Sequence, residues 1–305
     1  MNSIFKKFGK EIKGCKTAEE AILASNLNFE VEKLPANYEK SNGEIVSTKK
    51  YHTIRIDNED YLGTVGEEYN ICQNIECFEF FDKVVDTHED IIYTSVGIIG
   101  NGQKMWVQAK MPDYIKVGKD DVSEMYVTLI NSHDGSTSIQ AKLTPIRIIC
   151  QNTFSAVLKD CKSSVRIQHS SSYKERLNEA HEILKISNKL TQELELIFNS
   201  WAIKKISDDK SLKIIEKVLG LPEEEKGTRA KNSLEAAREF LMVGVGQNEP
   251  TTKGTLYGVY NAITGYVDHV KYNSLKAGDA NLKNNLFGNG EVLKKKAFEL
   301  CLSYK

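Results

Sequence analysis

Hydrophobic and polar residues alternate along the chain between residues 51 and 149, which predicts a series of β-strands. The segments YHTIRI and YLGTVG are the first two candidate strands. The segments IIYTSVGII and KMWVQAKM follow, joined by Gly100-Asn101-Gly102, because Asn-Gly sequences favour tight hairpin turns. The segments MYVTLI and IQAKL flank NSHDGSTS in the same way, and PIRIIC continues as a strand towards Asn152. These segments are expected to pair as antiparallel hairpins.

Apolar residues recur at helical spacing in the second half of the chain. Ser172 and Glu175 have the spacing of a capping box and open a helix that is predicted to reach about residue 206. Shorter helices are predicted at about 208–219, 229–243, 252–272 and 290–302. In the first half, helices are predicted after Thr17 and after Asn74, and the polar stretch from Pro35 to residue 50 is predicted to be a loop.

A β-rich run followed by a helical run indicates the α+β class. We expect an antiparallel β-rich N-terminal half followed by a mostly helical C-terminal half with one long helix. Three regions are predicted: residues 1–44 as an N-terminal helix and loop, residues 45–165 as a β-rich domain, and residues 166–305 as a helical domain packed on it.

The composition is that of a soluble globular protein, with 305 residues of which 40% are hydrophobic and 27% are charged. No run of apolar residues is long enough to span a membrane, and the lysine-containing start lacks the apolar stretch of a secretory signal. Six cysteines occur without a Cys-x-x-Cys pair, which favours reduced thiols. A cytoplasmic protein that does not act on a membrane is therefore expected.

The charge is small overall but unevenly distributed. A net charge of −1 argues against coating nucleic acid through bulk charge. Residues 142–176, however, hold seven Lys or Arg against two acids, and residues 76–90 hold six acids against one lysine. Such runs are usually solvated surface, but the first also supplies candidate phosphate contacts. These candidates are Arg147, Lys162, Arg166, Lys174 and Arg176.

The predicted helix at 252–272 carries polar residues that helix propensity does not explain. On a helical wheel its apolar residues form one stripe: Leu256, Val259, Tyr260, Ile263, Tyr266, Val267 and Val270. Asn261, Gly265 and Asp268 fall on the opposite side, and His269 borders them. Either this side is exposed, or it packs on the NSHDGS hairpin or on the strand end at Arg147 and Asn152. The second interpretation predicts a polar junction of Asn74, Asn152, Asn261, Asp268 and His269, which would be structural or a functional site.

Two further groups carry candidate chemistry. His133 and Asp134 in the hairpin could bind a metal or move a proton, although Asp-Gly is also a favoured turn sequence. Cys150 precedes a predicted helix start and could act as a nucleophile, although cysteines at the ends of apolar strands are usually buried. Capping of that helix explains Asn152 equally well.

Five segments together resemble a known family. The motifs YNICQNIECFEFFD, LINSHDGSTSI, TPIRIICQNT and GTLYGVYNAITGYVDH, with the hairpin that contains Trp106, occur in this order over about residues 60–270. They are similar to the phage/plasmid-like family, a domain of unknown function. The resemblance implies a source in a phage, a prophage, a plasmid or a bacterium carrying one, and it implies no reaction. The family pattern has an acidic residue where this chain has Gly265, so a carboxylate used there by the family would be missing.

Three functions of different classes remain open. The favoured one is a nucleic-acid-binding protein, binding or annealing single-stranded DNA in recombination or replication without being an enzyme or needing a cofactor. In that case Trp106, Tyr114 or Tyr173 could stack on bases. The second is a metal-dependent hydrolase or nuclease that holds Mg²⁺ or another divalent ion with His133, Asp134, Asp268 and His269. The third is a non-catalytic protein that binds a host defence protein. A homo-oligomer is expected in addition.

Overall fold

A computed structural model of the protein describes residues 3–12, 14–15, 17–85, 91–155, 158, 163–179, 182–221, 227–272 and 278–304. Its strands are β1 (Lys10–Glu11), β2 (Val31–Glu39), β3 (Ile45–Arg55), β4 (Tyr61–Gly66), β5 (Ile92–Ile99), β6 (Lys104–Val117), β7 (Asp121–Ser132), β8 (Ile139–Arg147) and β9 (Ser164–Ile167). Its α-helices are α1 (Ile4–Phe8), α2 (Ala18–Ser25), α3 (Asn74–Val85), α4 (Tyr173–Glu179), α5 (Glu182–Ile203), α6 (Asp208–Leu219), α7 (Thr228–Val243), α8 (Leu256–Tyr266), α9 (Gly278–Phe287) and α10 (Asn289–Ser303).

The described strands form two antiparallel sheets. One has six strands in the order β1-β5-β6-β7-β8-β9, and the other has three in the order β2-β3-β4. The predicted turns lie between β5 and β6, where Gly100 and Gly102 have φ of 69° and 117°, and between β7 and β8, where Gly135 has φ of 70°. A β-rich N-terminal half followed by a helical C-terminal half confirms the α+β prediction.

The prediction of a loop between Pro35 and residue 50 was wrong, because this segment forms most of the β2–β3 hairpin. Both faces of its outer part are exposed, so the sequence shows no alternation of apolar and polar residues. Pro35 is compatible with β2 because this strand lies at the edge of its sheet. The predicted boundary between residues 44 and 45 therefore divides a hairpin.

The prediction of one helix from residue 172 to about residue 206 corresponds to α4 and α5, with residues 180–181 outside the described residues. The longer of the two, α5, has 22 residues. The α1 and α9 helices and β9 were not predicted. The predicted helix at 252–272 is α8 followed by a π-helical turn, Val267–Lys271.

Helices pack on both faces of the six-stranded sheet. The larger core places alternate residues of β6 and β7, such as Val107 and Leu129, with Leu194 and Phe198 of α5. The smaller core places Trp106 on the opposite face, with residues of α1 and α9. None of the helices in the described ranges combines the length and the apolar composition needed to cross a membrane.

Candidate functional site

Arg147, the last residue of β8, is fully buried and lies at the centre of a polar junction. Its Nε donates to Asp121 Oδ1 at 2.7 Å, and its Nη2 donates to Asp121 Oδ2 at 2.5 Å. Its Nη1 donates to the carbonyl oxygen of Gly246 at 3.1 Å and to Asn261 Oδ1 at 3.4 Å. The side chains of Arg147 and Asp121 in this bidentate ion pair are 0% and 3% exposed, so the expectation that Arg147 contacts phosphates is corrected.

Asn152 links the end of β8 to α8 and to the π-helical turn. Its Nδ2 donates to the carbonyl oxygen of Asn261 at 3.0 Å, and its Oδ1 lies 3.0 Å from His269 Nε2. Because an amide oxygen only accepts, His269 carries its proton on Nε2. Burial lowers the pKa of His269, which keeps the ring neutral.

Asp268 forms a second buried ion pair in the same junction. Its Oδ2 accepts hydrogen bonds from the backbone nitrogen and the hydroxyl of Thr153, at 2.7 and 2.9 Å. Lys294 Nζ donates to Asp268 Oδ1 and, at 2.5 Å, to Thr153 Oγ1. The side chains of Lys294 and Asp268 are 2% and 0% exposed. The carboxylate and the ammonium are therefore satisfied internally.

The π-helical turn changes which side chains beyond α8 face the interior. A π-helical turn holds more residues than an α-helical one, so side chains beyond it are rotated from the positions on a regular wheel. Both residues are buried, whereas Val270, which the wheel placed in the apolar stripe, is 44% exposed. The polar side of the helix is buried, and the exposed interpretation is wrong for Asn261 and Asp268.

Gly265 is a site of close packing between α8 and α7. A Cβ atom at this position would lie 2.2 Å from Phe240 Cε1 and 3.1 Å from Asn152 Nδ2. The Phe240 ring in turn stacks on His269, with ring centroids 6.3 Å apart. An acidic side chain in this position would require Phe240 to move.

His133, Asp134 and Asn74 form a second polar group, which we call the hairpin cluster. Asn74 is therefore separated from the polar junction to which the sequence assigned it. His133 is buried and its Nε2 lies 2.9 Å from Asn74 Oδ1. The hydroxyl of Thr53 on β3 donates to the carbonyl oxygen of His133 at 2.7 Å. Burial, with a smaller contribution from His169, lowers the pKa of His133 to about 3, so the ring is neutral near pH 7.

Asp134 in the same cluster is held by Lys104. Lys104 Nζ lies 2.8 Å from Asp134 Oδ2, and the hydroxyls of Ser132 and Ser136 donate to Asp134 Oδ1 at 2.7 and 2.6 Å. Burial alone would raise the pKa of Asp134, but hydrogen bonds from Lys104 and the serines lower it to about 2. The arrangement is that of a turn fixed by an ion pair.

The structure does not assemble the predicted metal site. In the antiparallel pairing of β7 and β8, Arg147 lies opposite Ser123, near the start of β7. His133 follows the other end of β7. Ten residues of extended strand separate Ser123 from His133, which corresponds to about 33 Å. His133 and Asp134 are therefore far from Asp268 and His269. Within the described ranges, no group of three or more His, Cys, Asp or Glu side chains could hold a metal ion.

Cys150 is buried beside Arg147. Burial raises the pKa of its thiol, although Arg147 opposes this effect. A buried, protonated thiol is a poor nucleophile, so the structural interpretation of Cys150 is favoured. The other described cysteines, Cys15, Cys72, Cys77 and Cys301, are also free, and Cys161 lies outside the described residues.

A basic cleft of about 320 Å³ lies on the sheet face that carries the smaller core, between β8 and β9 on one side and α9 and α10 on the other. Its charged residues are four cations, Lys104, Lys142, Arg166 and Lys283, and one acid, Glu291. Phe287 and three polar residues complete its lining. The polar residues lie on β8 and on the turn before it: Ser136, Thr137 and Gln140. A smaller adjoining cavity shares Lys142, Arg166 and Glu291 and adds Lys295.

The charged residues of this cleft differ in how accessible they are to a ligand. Lys142 donates to the carbonyl oxygen of Leu286 at 2.8 Å and lies 3.2 Å from Glu291, which also pairs with Lys295 at 2.8 Å. Burial alone would raise the pKa of Glu291, but Lys142 and Lys295 lower it, so Glu291 offsets part of the positive charge. Arg166 and Lys283 are exposed, and neither makes an ion pair with another described residue. These two cations are the most accessible in the cleft.

Of the predicted phosphate contacts, Arg166 alone lines the cleft among the residues that the structure describes. Lys174 and Arg176 are exposed on α4, where Lys174 pairs with Glu76 at 2.7 Å, and Lys162 lies outside the described residues. Sequence reasoning missed Lys104 and Lys283, which are far from Arg166 in the chain. It also missed Lys294, the first of three consecutive lysines, because such runs usually lie in solvent.

The comparisons with known proteins give one match. The family model described as a domain of unknown function, DUF932, matches residues 61–287. No curated protein and no solved structure matches the chain. The matched range runs from β4 to the end of α9 and includes Arg147, Asp268 and most of the basic cleft. The chain therefore belongs to the DUF932 family.

Proposed function

We propose that the protein binds single-stranded DNA through the basic cleft, without catalysing a reaction, in recombination or replication of a phage or plasmid. The observation that supports this most directly is the convergence of four cations against one carboxylate in a single cleft. The net charge of the whole chain is only −1, so attraction of phosphates depends on such a local concentration. Sequence-independent binding to a strand requires this kind of groove.

Arg166 and Lys283 are the residues proposed to contact phosphates. They project from β9 and α9, on opposite walls of the cleft, and both are exposed. Lys104 and Lys142 are held by Asp134 and by Glu291 and contribute a weaker field. A strand that passes between the two walls would therefore be held from both sides.

The shape of the cleft favours a single strand over a duplex. A cavity of about 320 Å³ bounded by a sheet and two helices admits a nucleotide, but it is far too small for a double helix. The Phe287 ring in its lining provides an aromatic surface for a base. Bases are available for such contacts in a single strand and are stacked inside a duplex.

The test is fluorescence anisotropy with labelled single- and double-stranded DNA of one sequence, at salt concentrations from about 50 to about 200 mM. We expect tighter binding to the single strand and a plot of log affinity against log salt with a slope of about −1.4 to −3, as for two to four phosphate contacts. Equal or tighter binding to the duplex would contradict the proposal, as would no binding at low salt. Cleavage of the strand in Mg²⁺ would favour the hydrolase instead.

An exposed apolar patch favours a protein partner as a second candidate function. Ile148 and Ile149 follow β8, Val243 ends α7 and Val245 follows it, and all four are exposed. The hydrogen bond from Arg147 to Gly246 holds the two segments together. Exposed patches of this kind mark protein contacts. We propose that a second copy of the chain covers it. Light scattering should show an oligomer. A monomer would instead favour a host protein as the partner that covers the patch.

A further inference from the structure

The floor of the basic cleft contains an amide group whose hydrogen-bonding capacity is only half used. Gln140 is the second residue of β8, lies between Ile130 of β7 and Arg166 of β9, and is 6% exposed. Its Nε2 donates to Thr137 Oγ1 at 2.7 Å, whereas its Oε1 is buried without a hydrogen-bond partner among the described residues. Buried polar atoms in proteins nearly always have a partner, so this oxygen is a candidate acceptor for a ligand in the cleft.

The groups around Gln140 define the chemistry of that ligand. Arg166 and Lys283 attract an anion, and the Phe287 ring, with Lys142 Nζ 5.3 Å from its centroid, offers a flat apolar face. A free amide oxygen accepts a hydrogen bond from an N–H group. A nucleotide combines an anionic group with a flat ring that carries N–H donors, so it fits these groups. The cavity volume of about 320 Å³ lies at the lower end of the range for ligand pockets, which suits one nucleotide and not several.

We propose that the cleft takes up one nucleotide of the bound strand, with its base on Phe287 and an N–H group of the base donating to Gln140 Oε1. This inference rests on the proposed binding of single-stranded DNA, and it adds a contact to a base. Arg166 and Lys283 hold the flanking phosphates. Gln140 is then a base-recognition residue, and the cleft distinguishes a strand with bases from a bare phosphate backbone.

The test compares two labelled strands of equal length and charge, a short oligodeoxycytidine and an abasic strand. Both keep every phosphate, so phosphate contacts alone predict similar affinities. We expect the native protein to bind the oligodeoxycytidine more tightly, and Gln140→Met to remove about three- to ten-fold of that preference. The affinity of Gln140→Met for the abasic strand should equal that of the native protein. Gln192→Met, an exposed glutamine on α5, is the matched control and should change neither affinity.

The outcomes separate this inference from the function on which it rests. Equal affinity of the native protein for the two strands would overturn base recognition and leave phosphate binding intact. An equal loss on both strands in Gln140→Met would also overturn it. No binding of either strand would overturn the proposed function and the inference together. Phe287→Leu is a second variant that leaves β8 unchanged, and it should reduce the same preference by removing the stacking face.

Discussion

At the scale of single residues, the buried pair of Asp268 and Lys294 constrains the polar junction. Asp268→Asn keeps an acceptor for Thr153 but leaves the Lys294 ammonium buried without a counter-charge. We expect a loss of about 3–5 kcal/mol in the free energy of unfolding, measured with urea. Replacing both residues, as Asp268→Asn with Lys294→Met, should recover much of that loss.

The matched control for this prediction is an exposed ion pair. Glu44→Gln removes the exposed partner of Lys40 and should change the free energy of unfolding by less than about 1 kcal/mol. A loss in Asp268→Asn as small as that in Glu44→Gln would contradict the importance given to the buried pair.

Gly265 gives a second prediction at this scale. Gly265→Ala places a methyl group 2.2 Å from Phe240 Cε1, so either the ring or α8 must move. We expect the free energy of unfolding to fall by about 1–3 kcal/mol, with partial recovery when Phe240→Leu is added. Gly66→Ala, where no atom lies within 4 Å of the added methyl group, is the control and should cost much less.

The sequence identified several residues of the polar junction, but it did not identify the charged residues with which they interact. Asn152, Asn261, Asp268 and His269 stood out because polar residues interrupted apolar patterns. The partners Asp121 and Lys294 did not, since a charged residue beside a turn or in a lysine run looks like ordinary surface. Whether such a residue is buried depends on tertiary packing, which no local pattern contains.

At the scale of elements, the hairpin cluster fastens the three-stranded sheet to the end of the six-stranded sheet. Thr53 on β3 donates to the carbonyl oxygen of His133, and the backbone nitrogen of His133 donates to the carbonyl oxygen of Gln103. A Cβ atom at Gly63 on β4 would lie 2.6 Å from Asp134 Cα, so the two sheets are in direct contact. The hairpin turn therefore also serves as the contact between the two sheets.

This contact should weaken in acid. The pKa of His133 is about 3 in the folded protein and about 6.5 in the unfolded chain, so the unfolded chain takes up more protons between these values. The contribution to stability is complete above pH 6.5 and is lost as pH falls towards 3. As pH falls below 6.5, we expect the loss that His133 contributes to the free energy of unfolding to steepen towards about 1.4 kcal/mol for each pH unit.

Urea unfolding across this pH range measures the effect. His133→Gln can still donate to Asn74 but does not titrate. The slope of the free energy of unfolding against pH should therefore fall by the equivalent of nearly one proton. His52→Gln, at a partly exposed position of β3, is the matched control for the loss of a histidine. The same slope in the native protein and in His133→Gln would show that His133 does not control this contact.

The elements were predictable where one face of a segment is buried. The strands of the two central hairpins and the helices α6, α7 and α10 appeared in the sequence as alternation or as helical spacing. The β2–β3 hairpin did not, because its outer part has no buried face. The π-helical turn did not either, since its residues fit a regular helix equally well on a wheel.

At the scale of the whole molecule, the basic cleft exists because the fold brings distant segments together. Lys104, Arg166 and Lys283 come from β6, β9 and α9, which are separated by long stretches of chain. The sequence showed a basic segment at 142–176, but the fold buries Arg147 and turns Arg166 into the cleft. The α+β class followed from the order of the elements, whereas the cleft required their packing.

The cleft is proposed to bind the phosphates of a single strand. The measurement is the salt dependence of single-strand affinity for three proteins: the native protein, Arg166→Gln with Lys283→Gln, and Lys210→Gln with Lys213→Gln. Both double variants lose the same charge, but the second pair lies on α6, outside the cleft. We predict that the cleft variant binds more weakly and that its slope is smaller by about 1.4, while the α6 variant matches the native protein. Equal slopes in all three proteins would show that Arg166 and Lys283 do not contact the phosphates.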